Sequence, residues 1–90
     1  MSRLHIVNPA TGEPVGDAPD HSVEECLVAV ERAHIMFPQW SSIAPRQRGE
    51  VLRRAFELMI AEQEELARLI VAENGKVLAD ARAEVTYAAE

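Results

Sequence analysis

Few residues of this ninety-residue chain have side chains that could do covalent, acid–base or metal chemistry. Cys26 is the single cysteine, so no internal disulfide can form and no thiolate framework for zinc exists. It falls on an apolar helical stripe with Val23 and Val30. A thiol there is expected to be a small buried hydrophobe rather than a nucleophile, because reactivity needs an electropositive, partly exposed setting. His5, His21 and His34 stand in a strand, a loop and a helix, without the i, i+4 partner or nearby cysteine that metal binding asks for. Gly12, Gly16, Gly49 and Gly75 never reach the spacing of a phosphate-binding loop. Gly75-Lys76 has the loop's ending, but five residues earlier stands Ile70, inside a helix. Glu62, Glu64 and Glu65 read as a solvated helix junction. Glu73, in the last turn of a helix, faces the negative end of the dipole and invites a compensating cation, although solvation suffices to explain it. These residues supply no catalytic group, no cofactor-binding group and no metal ligand.

The elements that would carry these residues are legible from punctuation and period. Pro9, Gly12, Pro14, Gly16 and Pro19 break the first twenty residues into two short apolar pieces, Leu4 to Val7 and Val15 to Ala18. They read as a β-hairpin over 1–20, with Asn8 held extended before proline and Gly12 free to take positive φ. A lone hairpin is marginal in water and must lie on something else. Residues 21–90 read as helical. Ser22-Val23-Glu24-Glu25 is a capping box, and Val23, Cys26, Leu27, Val30, Ala33 and Phe37 follow on one stripe of a helix predicted to end before Pro38, with Trp40 in a loop. Pro45 opens a second helix running to about Ala61, and a break is expected near Glu62. A third helix ends at Asn74-Gly75, and a fourth starts near Leu78 and runs to Glu90 with no stop signal. Glu50 with Arg54 and Glu64 with Arg68 are predicted i, i+4 pairs on solvated faces.

Composition narrows the function further. Hydrophobic residues at 48% and charged residues at 27% exclude disorder, and the four aromatics leave burial to aliphatic and alanine side chains, which favours helices. Nine basic against fifteen acidic residues leave a net charge of −6, the wrong sign for nucleic acid or an anionic membrane surface. The N-terminus has no apolar stretch suited to a signal peptide or a membrane span, so the expected compartment is the cytoplasm.

Val7-Asn8-Pro9-Ala10-Thr11-Gly12-Glu13, then Phe37 and Trp40, then Pro45-Arg46-x-Arg48 with Leu52-Arg53-Arg54, then Glu73-Asn74-Gly75-Lys76, resemble the N-terminus of the aldehyde dehydrogenase superfamily. The last ten residues, Ala81 to Glu90, are similar to the branch containing succinate-semialdehyde dehydrogenases. One departure is Val77, where the family usually has proline. The resemblance implies a mainly α piece, a hairpin plus three or four helices, of a larger α/β fold with a Rossmann-like cofactor domain. Residues 1–90 would form the N-terminal part of that domain. It further implies NAD- or NADP-dependent oxidation of an aldehyde, succinate semialdehyde in that branch, to its carboxylic acid by a homo-oligomer. The family's cysteine nucleophile, glutamate base, oxyanion asparagine and cofactor loops match nothing here, so the chain alone is expected to be inactive and without cofactor. In some members a monovalent cation sits between backbone near the Asn-Pro turn and the acidic residue of the helix end, which here would involve Val7 and Glu73. The competing reading is a free-standing small helical module that binds a partner or itself through its amphipathic faces.

Overall fold

The structure, a computed structural model, describes residues 2–90. It contains the antiparallel pair β1 (Ser2–Val7) and β2 (Pro14–Asp20), followed by helices α1 (Val23–Ser42), α2 (Pro45–Ala61), α3 (Gln63–Asn74) and α4 (Leu78–Ala89). No helix of the described residues is long and apolar enough to cross a membrane.

The hairpin owes its register to its turn. The Asn8 side chain accepts from the Ala10 amide at 2.9 Å, its carbonyl accepts from the Gly12 amide at 2.8 Å, and its own amide donates to the Glu13 carbonyl at 2.9 Å. Gly12 takes φ 78°, as the turn requires. Ser2 then pairs with Asp20, Leu4 with Ala18 and Ile6 with Gly16. Both strands run past the predicted apolar cores because polar side chains tie their outer ends: Arg3 to Asp17, and Ser2 Oγ to Asp20 at 3.2 Å.

The N-cap of α1 is the predicted one, with Ser22 Oγ accepting from the Glu25 amide at 3.1 Å. The end of α1 differs from expectation. The helix passes through Pro38 and stops after Ser42, so Trp40 lies in its last turn and not in a loop. A proline removes one intrahelical donor and crowds the preceding turn. Here the turn beyond it is held by the Ser41 and Ser42 hydroxyls, which donate to the Pro38 and Gln39 carbonyls at 3.1 and 2.7 Å, and by the Ile43 amide, which donates to Trp40.

Helices α2 and α3 are separated by Glu62 alone, at φ −102° and ψ 15°, the expected break. The paired side chains on α2 are not the predicted ones. Glu57, four residues after Arg53 and three after Arg54, approaches both, at 3.3 and 3.6 Å, and so takes Arg54 in place of Glu50. Helix α3 ends as predicted, with Gly75 at φ 79° and its amide donating to Val71 at 2.9 Å. Val77, the N-cap of α4, sits at φ −67°, the value a proline ring would impose, so its presence leaves the turn unchanged.

The buried core lies between α3 and α4 and consists of Ala67, Ala81 and Val85, flanked by Leu66, Ile70, Val71 and Leu78. Around it polar groups on α3 and on the loop after it reach α4. Gln63 Nε2 donates to the Arg82 carbonyl at 3.1 Å and to Thr86 Oγ1 at 2.6 Å, Arg82 grips both Glu64 oxygens at 2.7 and 2.8 Å, and Lys76 pairs with Glu84 at 2.9 Å. Glu64 also receives the predicted Arg68 at 3.2 Å. Helix α2 leans on α4, and the hairpin reaches the end of α3. Helix α1 packs closely on none of them, and the described chain is a slab 49 × 33 × 14 Å. Its radius of gyration is 17.1 Å, against about 12 Å for a compact chain of this length.

Two outcomes test this account. A Cβ at Gly75 would stand 3.1 Å from Pro9 Cγ while the backbone is left-handed. Gly75→Ala should therefore lower stability by about 1–2 kcal/mol, and combining it with Pro9→Ala should recover the steric share. Urea unfolding of the four species checks this, and strict additivity would refute the contact. The Arg82 guanidinium holds the Glu64 carboxyl below the usual carboxylate range. The unfolded chain then binds that proton more readily, so the stabilisation is present near neutrality and is lost as pH falls below about 4. Glu64→Gln should flatten that acid loss in urea midpoints measured against pH; an unchanged slope would remove Glu64 from the clamp.

Candidate functional site

Folding scatters the residues with reactive side chains. Cys26 is exposed, contrary to the expectation of a buried thiol, because no element of the described chain covers the α1 stripe that carries it. His5 faces Asp17 across the hairpin, and His34 lies on α1. His21 precedes the α1 cap, its Nδ1 2.8 Å from Glu25 Oε2. That imidazole contact, together with Ser22 backbone and hydroxyl, holds the Glu25 carboxyl below its ordinary range. The carboxylate therefore serves the helix start. Among the described residues no three of His, Cys, Asp and Glu gather into a metal-binding group.

The two turns that the sequence marks as distinctive do meet. The ring of Pro9 lies against Gly75, so the Asn8-Pro9 turn docks on the end of α3. This brings the end of β1, which carries Val7, toward the last turn of α3, which carries Glu73. Glu73 is exposed, and no ion pair reaches it among the described residues. Lys76 is turned to Glu84 on α4 and belongs to the helix clamp, not to a phosphate cradle. Gly12 and Gly75 serve a tight turn and a helix cap.

What the arrangement offers instead is apolar surface. An open groove of about 410 Å³ runs between α3 and α4, with Met59, Leu69, Ile70, Val85 and Tyr87 along it. On α1, Val23, Leu27 and Phe37 are 71, 63 and 64% exposed. Sequence reasoning missed the Pro9–Gly75 contact and the bridge from Gln63 to Thr86. Gly75 was legible as a cap, but nothing local tells which segment will lie against it, and an amide reaching a hydroxyl 23 residues away leaves no periodic trace.

The model of the aldehyde dehydrogenase family matches residues 1–90. Over 86 residues the chain is 44% identical to the glutarate-semialdehyde dehydrogenase of Pseudomonas putida and 37% identical to the NADP(+) succinate-semialdehyde dehydrogenase of Escherichia coli. Each alignment covers 96% of this chain and 18% of the relative. The crystal structure of succinate-semialdehyde dehydrogenase from Burkholderia pseudomallei superposes with a TM-score of 0.92 at 36% identity, covering 98% of this chain and 18% of that one. The chain thus spans about a fifth of the length of the relatives it matches, and over that fifth it folds as they do. The hairpin docked on a glycine-capped helix, the helical layer with open apolar faces and the match over all ninety residues together place this chain in the aldehyde dehydrogenase family.

Proposed function

We propose that these residues form a structural part of the cofactor-binding domain in an enzyme that oxidises a dicarboxylic semialdehyde, succinate or glutarate semialdehyde, with NAD or NADP. The substrate class is supported by the printed activities of the relatives from Pseudomonas putida and Escherichia coli, which are glutarate- and succinate-semialdehyde dehydrogenases. The structural role rests on one observation: the chain keeps the fold of the matching fifth of a whole enzyme while leaving its apolar α1 stripe and its α3–α4 groove uncovered. Contiguous exposed apolar surfaces of this kind mark contact with further protein.

The described residues do the work of a brace. The capped start of α1, the Glu62 break and the Gly75 cap fix the directions of the helices. The Gln63–Thr86 and Arg82–Glu64 bonds lock α3 to α4. The Pro9–Gly75 contact then fastens the hairpin to that pair.

An assay with two arms tests the reading. The purified ninety-residue chain, given NADP and succinate semialdehyde, should form no reduced nicotinamide; turnover that follows the pure chain through a sizing column would contradict the structural role. The complete product of the gene should oxidise succinate or glutarate semialdehyde with a higher kcat/KM than an unsubstituted aldehyde of equal length. The reverse preference would overturn the substrate class.

A further inference from the structure

Asn74 and Gly75 close α3, and they are also a pair whose side chain and following amide are suited to react with each other. Asparagine occurs at two positions, Asn8 and Asn74. After Asn8 comes Pro9, whose nitrogen carries no hydrogen and cannot act as a nucleophile. After Asn74 comes Gly75, which lacks a Cβ and so leaves its amide nitrogen free to approach the Asn74 carboxamide. The reaction is a ring closure. The Gly75 nitrogen bonds to Asn74 Cγ, the carboxamide C–N bond breaks, and the NH2 group leaves as ammonia with the hydrogen that Gly75 gives up. Water then opens the five-membered imide at either carbonyl. One opening yields aspartate, and the other yields isoaspartate, with the main chain rerouted through Cβ and Cγ.

The fold opposes this closure. The ring needs the Gly75 nitrogen in the plane of Asn74 Cα, Cβ and Cγ, whereas Asn74 is the last residue of α3, where a helical ψ turns that nitrogen out of the plane. The Gly75 amide donates to the Val71 carbonyl at 2.9 Å, which engages its hydrogen and fixes the Asn74 ψ together. The Pro9 ring lies against Gly75 and limits the room for rotation. Water does not have to be admitted, since both residues are exposed. Conversion is not undone when the cap closes again. A carboxylate at position 74 would stand beside Glu73 at the negative end of the α3 dipole, while Lys76, the nearest cation along the chain, is already paired with Glu84. The added main-chain atom of isoaspartate would displace Gly75 from its bond to Val71.

We propose that Asn74-Gly75 is a deamidation site, with water as its second reactant, that the intact cap of α3 holds shut, so that conversion at this pair records opening of the cap. The inference rests on neither the substrate nor the cofactor proposed above.

The test compares the folded complete product of the gene with the synthetic peptide of residues 69–76, which is too short to hold a helix in water. Both are kept in the same mildly alkaline buffer. Trypsin cuts after Arg68 and Lys76, so the protein releases that same peptide, and its asparagine, aspartate and isoaspartate forms are separated by chromatography and identified by mass. The free peptide should convert with isoaspartate among its products, and the folded protein should convert at least about tenfold more slowly, since closure must wait for the cap to open. In urea strong enough to unfold it, the protein should reach the rate of the peptide. Equal rates for the peptide and the folded protein would show that the cap holds nothing shut. Slow conversion in urea would overturn the proposal as well, because the protection would not come from the fold. A peptide that forms no isoaspartate would remove the ring closure, and the site with it.

Discussion

The close approach of α3 and α4 is the interaction on which the remaining structure depends. Ala67 and Ala81 put methyl groups where larger side chains would hold the helices apart, and Val85 fills the space beside them. Helices that near can exchange side-chain bonds, so Gln63 reaches the Arg82 carbonyl and Thr86, Arg82 reaches Glu64, and Lys76 reaches Glu84. Each exposed ion pair by itself is worth little. Their value lies in direction, because Gln63 and Glu64 at the start of α3 are tied to Arg82 and Thr86 on α4, while Lys76 ties the loop between the two helices to Glu84. Helix α2 then rests on α4, and the hairpin rests on the glycine that closes α3.

This order of dependence explains why the chain is thin. Among the described residues three buried side chains are a small core. A small domain already buries a lower fraction of its surface than a large one. Here the deficit is concentrated on α1, whose apolar stripe is continuous and whose contacts with the rest are sparse. The stripe follows the helical period, so its exposure reflects the lack of a described element across from it and not a flaw in its pattern.

The absence of reactive groupings follows from the same geometry. His21 and Glu25 are neighbours because both serve the start of α1. Lys76 follows a glycine because the helix before it ends there, and its ammonium is held by Glu84. His21, Glu25 and Lys76, which could look like chemistry in a linear reading, serve a cap and a clamp. The turn chemistry at Asn8 and Gly12 and the cap at Gly75 likewise carry structure, and they are the residues through which the family is recognised.

Local physics made much of this legible. The hairpin turn, the Ser22 cap, the Pro45 start, the Glu62 break and the Gly75 stop are each decided by the conformational habits of a few adjacent residues, and each stands where the sequence puts it. Where only proline was consulted, at Pro38, the reading failed, since the hydroxyls of Ser41 and Ser42 could hold a further turn. Burial also differs from expectation. An apolar stripe records that a face is made to be covered, but coverage depends on what lies across from it, and so Cys26 was expected inside and is found outside. By itself the sequence determined the elements, their boundaries at caps and glycines, and the family, because these rest on interactions spanning a few residues or on motifs read in order. Tertiary structure alone decided that Pro9 lies on Gly75, that α3 clamps α4, and that α1 stands open, because those depend on segments distant in sequence meeting in space.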